Sequence, residues 1–316
     1  MIKNRRAFIV GIKSVTLSNK ERLFLRKYKP WGIILFSRNI KSIYQTKSLT
    51  NSIKKIFRDQ KYPILIDQEG GRVNRLKEII NFDNLTSKYF GKLYLKDKKK
   101  FDIIYKLFID KTSYLLNNLG ININTVPILD LKYKGKSKVI GDRSFSDNKD
   151  IVSEIGDLCI KLFHANSIGT VIKHIPGHGL ANVDSHQYTP AVKKTLKYLI
   201  KNDFYTFKKK KSFFAMTGHV IYKNIDPINV ATHSKKIINH IRKTILFKNI
   251  LISDDLSMKS LKNDIKINTI KAFDSGCNLA LHCNANMHEM KAVGDNSPLI
   301  NNFILKKTSQ FYKILS

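Results

Sequence analysis

The sequence predicts an α/β protein built as a single (β/α)8 barrel of TIM type, with no second domain. Three observations support this: eight short runs rich in β-branched residues recur along the chain, helical patterns separate them, and the runs are continuously apolar. Strands that are apolar on both faces are typical of a parallel sheet covered by helices, and eight such units close naturally into a barrel. A doubly wound open sheet is the alternative, but no GxGxxG motif follows the first run.

The predicted strands are bounded by Gly, Pro, Asp or Asn, which end strands and open loops. They cover residues 7–10, 33–36, 64–67, 121–126, 170–174, 213–218, 250–254 and 278–283.

Between the first two strands, Ser18 and Glu21 have the spacing of a capping box, and an amphipathic stretch follows to Tyr28. This pattern predicts the first helix. Further helices are predicted at residues 43–57, 150–166 and 234–246, and from residue 299 onward. Between the third and fourth strands, one more helix is indicated by a shared apolar face and a C-terminal glycine, formed by Ile104, Phe108, Leu115, Leu119 and Gly120.

Length and cysteine usage favour one domain, over residues 1–316, in a reducing compartment. Barrels of about 250 residues or more routinely form one unit. The three cysteines, Cys159, Cys277 and Cys283, lack metal-ligand spacing and cannot pair evenly, so we expect buried free thiols. The apolar run at residues 7–10 is too short for a signal peptide or a membrane span, so we expect a cytoplasmic protein without a membrane partner.

The formal net charge of +33 raises nucleic acid or acidic lipid as a partner. The lysines, however, are spread along the whole chain, and Lys, Ile and Asn are jointly abundant. This distribution indicates a coding bias toward AT-rich codons rather than a binding surface. We therefore expect no specific nucleic acid partner, and only retention on DNA that is lost at moderate salt.

Chemically capable side chains follow four of the predicted strands. The carboxyl ends of barrel strands open at one face, where the loops carry the active site. We therefore expect these groups to meet at one rim. They lie in residues 67–75 (DQEGGRVNR), 173–179 (KHIPGHG) with 184–186 (DSH), 217–219 (TGH) and 253–258 (SDDLSM).

Asp254 ends an apolar strand, where burial beside a pocket could hold a carboxylate as a nucleophile. Alternatively, Asp254 or Asp255 caps a following helix. Both interpretations stay open from this segment alone, and a division is possible in which Asp255 or Ser257 caps while Asp254 reacts.

Asp184 lies two residues from His186, where a carboxylate can orient an imidazole and favour its protonated form. Such a histidine can serve as general acid and then general base. A metal site formed by His174, His178, His186 and Asp184 is the alternative, but the spacing matches no zinc pattern.

The adjacent glycines Gly70 and Gly71 predict a sharp turn with positive φ that lets Asp67 point into the mouth of the barrel. At that position Asp67 suits bidentate acceptance from two sugar hydroxyls. An ion pair among Glu69, Arg72 and Arg75 is the structural alternative for this segment.

The ordered motifs DQEGGRVNR, KHIPGHG with DSH, and SDDLSM are similar to those of glycoside hydrolase family 3, in particular its bacterial cytoplasmic β-N-acetylglucosaminidases of peptidoglycan recycling. The similarity extends through residues 30–36 (PWGIILF), 127–130 (PILD), 141–144 (GDRS) and 216–222 (MTGHVIY), and covers the chain to about residue 284.

This resemblance implies that Asp254 is the nucleophile, that His186 is the acid/base and that Asp184 partners His186. It also implies that the N-acetylglucosamine ring is bound by Asp67, Arg75, Arg143, Lys173 and His174, while His178 supports the loop. We then expect a retaining double displacement on muropeptides of the GlcNAc-anhydroMurNAc type by a monomer that needs no cofactor and no metal.

Two further points follow from this assignment. Retaining glycosidases usually pair two carboxyl groups, so a histidine as acid/base departs from the general scheme. A neutral histidine would also repel an incoming anion less than a carboxylate would, so phosphate could compete with water as acceptor.

The alternatives are another family 3 enzyme, such as a β-glucosidase or β-xylosidase, and a catalytically silent basic barrel that binds nucleic acid or cell-wall polymer.

Overall fold

The eight predicted strands form a closed barrel in a computed structural model, which describes residues 2–134, 139–181 and 189–315. The barrel strands are β1 (Arg6–Gly11), β2 (Pro30–Leu35), β3 (Ile64–Ile66), β4 (Ile123–Asn124), β5 (Gly169–Ile175), β7 (Phe214–Thr217), β9 (Ile250–Asp255) and β10 (Leu279–His282), and a separate two-stranded pair is made by β6 (Ala191–Val192) and β8 (Ile221–Tyr222). All neighbouring strands are parallel, and their order around the barrel is β1-β10-β9-β7-β5-β4-β3-β2. The prediction of a single α/β barrel is confirmed.

Helices cover the outside of the barrel, as the continuously apolar strands require. The capping box is present: Ser18 Oγ accepts from the Glu21 amide at 3.2 Å, and Glu21 Oε2 accepts from the Ser18 amide at 2.8 Å. The helices are α1 (Asn19–Tyr28), α2 (Ile43–Phe57), α3 (Ser87–Lys96), α4 (Lys98–Asn118), α5 (Lys149–Ala165), α6 (Leu196–Lys201), α7 (Lys235–Lys243), α8 (Ile265–Ser275), α9 (Met287–Asp295) and α10 (Asn302–Tyr312).

Helix α10 closes the amino end of the barrel. Its Phe311 is fully buried and packs edge-on against Phe214 of β7, with ring centroids 5.3 Å apart. Its Thr308 Oγ1 accepts a hydrogen bond of 2.9 Å from the indole nitrogen of Trp31 on β2. The interior is therefore packed at this end, which leaves the carboxyl ends of the strands as the face open to a ligand.

Cys159 and Cys277 are buried free thiols, as predicted, whereas Cys283 is partly exposed and lines the pocket described below. Within the described residues, no helix has both the length and the apolar character needed to cross a membrane.

Candidate active site

A pocket opens at the carboxyl ends of the barrel strands and collects side chains from most of the predicted site segments. The charged and imidazole groups that line it are Asp67, Arg75, Arg143, Lys173, His174, His178, Asp254 and Asp255. The chain positions of these residues lie far apart, and the parallel strands bring them together because all strands end at the same face.

Asp67 directly follows β3 and is bound by two cations. Its Oδ2 accepts from Arg75 Nη2 at 2.8 Å, while its Oδ1 accepts from Lys173 Nζ and from Thr125 Oγ1, the latter at 2.7 Å. Burial alone would raise the pKa of Asp67, but the charges of Lys173, Arg75 and Arg143 outweigh it and hold the pKa well below its usual range. Asp67 is therefore an ionised acceptor at neutral pH.

The turn after Asp67 has the predicted backbone. Gly70 and Gly71 both have positive φ, 90° and 56°. A Cβ at Gly70 would lie 2.4 Å from the carbonyl oxygen of Leu85, so a side chain cannot be accommodated without a backbone shift. These two glycines allow the chain to reverse and bring Arg75 back to Asp67.

Glu69 is a buried carboxylate that pairs with two cations of the site. The prediction of an ion pair among Glu69, Arg72 and Arg75 is wrong, because neither Arg72 nor Arg75 is the partner of Glu69. Glu69 receives a bidentate pair from Arg143, with both N···O distances 2.8 Å, and lies 2.8 Å from Lys173 Nζ. Burial alone would lower the pKa of Arg143, but the charge of Glu69 raises it above the usual value.

The other two cations of that turn pair elsewhere, since Arg72 bonds Asp142 at 2.9 Å and Arg75 bonds Asp67. The physical reason is that the segment at residues 141–143 and strand β5 pack beside this turn. They bring Arg143 and Lys173 closer to Glu69 than the arginines that neighbour it in sequence.

Asp130 holds the turn that follows β5. It accepts from the ring Nδ1 of His174 at 2.7 Å, from the His174 amide at 3.2 Å and from the His178 amide at 2.6 Å. Burial alone would raise the pKa of Asp130, but His174 outweighs it and the pKa is lowered. The buried carboxylate thus orients the His174 ring at the pocket wall.

His178 is a buried histidine in the wall of the pocket. The residue is 1% exposed, and burial lowers the pKa of its ring to about 4, so the ring is neutral at physiological pH.

Asp254 lies at the end of β9 and lines the pocket. Its amide donates to Thr217 Oγ1 at 3.3 Å, and its Oδ1 accepts from the Asp255 amide at 2.8 Å. Asp255 in turn accepts from the amides of Ser257 and Cys283, each at 3.1 Å.

The interpretation that one of these aspartates caps a following helix is wrong. Asp255 stabilises a turn, and the next helix, α8, begins at Ile265 with Asp264 as its N-cap. The capping half of the division, in which Asp255 or Ser257 caps a helix, is therefore wrong as well, and Asp254 and Asp255 both line the pocket.

Asp184 and His186, the expected acid/base pair, lie outside the described residues. The chain is described up to Ala181 and again from Thr189, whose hydroxyl donates to the carbonyl of Ser260 at 2.7 Å. Within the described ranges, no group of three or more His, Cys, Asp or Glu side chains is arranged to hold a metal.

Sequence reasoning missed three parts of this site. The sequence indicates Glu69 only as the partner of a neighbouring arginine, and it assigns no role to Thr125 or to Asp130. Asp130 carried a usable signal, because it is a carboxylate shortly after a strand at the open face. Glu69 carried none, since its partners come from segments 74 and about 100 residues away.

Residues 8–305 match the family model of the N-terminal domain of glycosyl hydrolase family 3. A β-hexosaminidase of Actinobacillus pleuropneumoniae serotype 3 is 32% identical over 288 residues, which are 87% of this chain and 80% of that protein. A β-hexosaminidase of Methylobacillus flagellatus is 30% identical over 263 residues, or 80% of this chain and 73% of that protein.

The fold is also similar to that of NagZ from Neisseria gonorrhoeae, solved in complex with N-trifluoroacetyl-D-glucosamine. The two chains have 27% sequence identity and a TM-score of 0.86, over 99% of this chain and 90% of the other.

Proposed function

Because this chain belongs to glycosyl hydrolase family 3 and is a β-hexosaminidase, we propose that it removes non-reducing terminal N-acetylglucosamine from muropeptide fragments with retention of configuration. The observation that carries the proposal is one pocket in which Asp254 and the cation-bound Asp67 both take part. The glucosamine derivative bound by the Neisseria enzyme supports an N-acetylglucosamine-type sugar as ligand.

In this proposal the sugar is held by ionic hydrogen-bonding groups. Asp67 is kept ionised, so it can accept from two adjacent hydroxyls while Arg75 and Lys173 donate to sugar oxygens. Glu69 holds Arg143 in place by an ion pair, and Asp130 orients the ring of His174. Rigid placement of these groups fixes the anomeric carbon relative to Asp254.

The chemical step is a double displacement. A carboxylate oxygen of Asp254 attacks the anomeric carbon as the bond to the leaving oxygen breaks, and protonated His186 gives its proton to that oxygen. Neutral His186, oriented by Asp184, then takes a proton from water as the water oxygen displaces Asp254. The product keeps the β configuration because two inversions occur.

The same proposal includes one catalytic unit over residues 1–316 that is cytoplasmic and monomeric and requires no metal or cofactor. Phosphate is an alternative acceptor for the glycosyl-enzyme, because neutral His186 carries no negative charge to repel it. Formation of N-acetylglucosamine 1-phosphate on adding phosphate tests this; unchanged product and rate would refute it.

The decisive experiment traps the covalent intermediate. The enzyme is incubated with a fluorinated N-acetylglucosaminyl substrate, digested, and the labelled peptide sequenced by mass spectrometry. We expect the label on Asp254 and no turnover by Asp254→Ala, with Asp255→Asn as the matched neighbour that still accepts the label. A label on another residue would overturn the nucleophile assignment.

Substrate class is tested separately with nitrophenyl N-acetylglucosaminide, nitrophenyl glucoside and purified muropeptides. We expect release from the first and the last only. Preference for the glucoside would favour a β-glucosidase, and an intact fold without any hydrolysis would favour a binding protein.

A further inference from the structure

The motif at residues 217–219 (TGH) lies next to the end of β9 and is not part of the pocket wall. Thr217 and His219 are both fully buried. The ring of His219 uses both of its nitrogens: Nε2 lies 3.0 Å from the carbonyl oxygen of Asp255, and Nδ1 lies 2.8 Å from the hydroxyl of Thr232. A buried side chain bonded to the backbone beside the proposed nucleophile can control how that backbone is placed.

The hydrogen bonds of this group run in one direction. In a neutral imidazole one nitrogen donates and the other accepts, and a backbone carbonyl only accepts. Nε2 of His219 therefore donates to Asp255, and Nδ1 accepts from the hydroxyl of Thr232. Because that hydroxyl proton is used, Thr232 Oγ1 accepts from the hydroxyl of Thr217 at 2.7 Å, and Thr217 Oγ1 accepts from the amide of Asp254 at 3.3 Å. The side chains of Thr217, Thr232 and His219 thus form one continuous network, the Thr–His network.

The Thr–His network holds the backbone on both sides of the group that orients the proposed nucleophile. It begins at the amide of Asp254 and ends on the carbonyl of Asp255. Between these two bonded groups lies the amide of Asp255, which donates to Oδ1 of Asp254 at 2.8 Å. Movement of this backbone would therefore move both the Cα of Asp254 and the N–H group that orients its carboxylate.

The network takes over from the strand ladder where β7 and β9 separate. The paired residues of these two strands end at Met216 and Ile252. Beyond this pair, the Asp254 amide bonds the side chain of Thr217 on the side of β7. The placement of the proposed nucleophile therefore depends on the side chains of this motif as well as on strand pairing.

We propose that His219 is a positioning residue that, through Thr232 and Thr217, fixes the reacting carboxylate of Asp254 relative to the anomeric carbon. The proposal rests on the proposed function, in which Asp254 is the nucleophile. His219 does not line the pocket and acts through the backbone of residues 254–255. A displacement of about 1 Å in a reacting group can cost about 100-fold in rate, so a disturbed network should lower kcat.

Thr232→Val is the central variant, because valine has nearly the shape of threonine but can neither donate to His219 nor accept from Thr217. With nitrophenyl N-acetylglucosaminide we expect kcat to fall about 10-fold. KM should stay within about 2-fold of wild type, because the lost interaction matters for the transition state rather than for binding. Thr232→Ser keeps the hydroxyl and should retain kcat within about 3-fold, whereas His219→Phe removes both ring bonds and should lower kcat about 100-fold.

Thr170→Val is the matched control, since Thr170 has similar partners but lies at the opposite end of the barrel. It is fully buried at the amino end of β5, and its hydroxyl lies 3.0 Å from Nε2 of His164 and 2.9 Å from Oγ of Ser212. Its removal should destabilise the fold much as Thr232→Val does, without an effect on kcat. Urea unfolding of both variants, with activity measured well below the transition, separates lost stability from lost positioning.

The rate of covalent labelling gives a second readout. Each variant is incubated with the fluorinated sugar, and the labelled peptide that contains Asp254 is quantified over time by mass spectrometry. In Thr232→Val this rate should fall in parallel with kcat, and in Thr232→Ser it should return.

Unchanged kcat and labelling in Thr232→Val, a loss confined to KM, or an equal loss of kcat in Thr170→Val would each overturn the proposal. If His219→Phe does not fold, Thr232→Val decides the question. A wild-type label on a residue other than Asp254 refutes the proposed nucleophile and the positioning proposal with it, whereas a label on Asp254 together with unaffected variants refutes the positioning proposal alone.

Discussion

Replacement of Glu69 by Gln tests whether the buried charge network of Glu69, Arg143 and Lys173 beside the pocket stabilises the fold. The Glu69 side chain is 3% exposed, and its partners Arg143 and Lys173 are 11% and 3% exposed. Removing one partner of such a buried pair costs about 3–5 kcal/mol, because the remaining charges stay buried without compensation. We expect the lower part of this range, since the Gln carbonyl can still accept one hydrogen bond from Arg143.

The matched control is Asp142→Asn, which removes the carboxylate that bonds Arg72 at the surface. These side chains are 38% and 48% exposed, and solvent screens their interaction, so we expect a loss of about 0–1 kcal/mol. Urea unfolding can be followed by the fluorescence of Trp31, the single, fully buried tryptophan. A loss below about 1 kcal/mol for Glu69→Gln, equal to that of the control, would refute the reasoning.

Three further predictions concern other parts of the fold. The pKa of Asp67 is depressed in the folded protein, so the stabilising effect of its charge is complete above the ordinary pKa of about 4 and is lost as the pH falls through the folded-state pKa. The difference in unfolding free energy between wild type and Asp67→Asn should therefore be constant from pH 5 to 7 and shrink in stronger acid. A difference that already shrinks between pH 7 and 5 would contradict this. Gly91→Ala places a Cβ 1.8 Å from the carbonyl oxygen of Phe145 and should lower the melting temperature clearly, whereas an unchanged melting temperature would show that the contact relaxes freely. Trp31→Phe leaves the Thr308 hydroxyl without its indole donor and should cost about 1–3 kcal/mol in urea unfolding, and a neutral result would mean that this bond does not hold α10 in place.

The positions of the strands and of the carboxylates at the open face could be predicted from sequence because they depend on local patterns. Continuous apolar runs fit strands buried on both faces, and the carboxylates that follow such runs must reach the open face of a barrel. Asp67 and Asp254 both follow such runs, and both line the pocket. The capping box of α1 is equally local, since its two side chains lie three residues apart.

Helix α9 could not be placed from sequence, because a short helix with few buried residues, among them Met290 and Val293, gives a weak periodic pattern. The sequence predicts the tail helix α10, but it does not predict that this helix closes the amino end of the barrel. That position depends on contacts of Thr308 and Phe311 with residues far away in the chain, Trp31 and Phe214.

The sequence by itself determined the barrel, the face that carries the chemistry and the residue types available there, because these follow from hydrophobic periodicity and chain direction. Only the tertiary structure decided the pairing of charges: Glu69 bonds Arg143 rather than a neighbouring arginine, and Asp130 holds the turn after β5. The physical reason is that the energy of a buried ion pair depends on the distance between the charges and on their burial. Neither quantity can be read from the separation of the two residues along the chain.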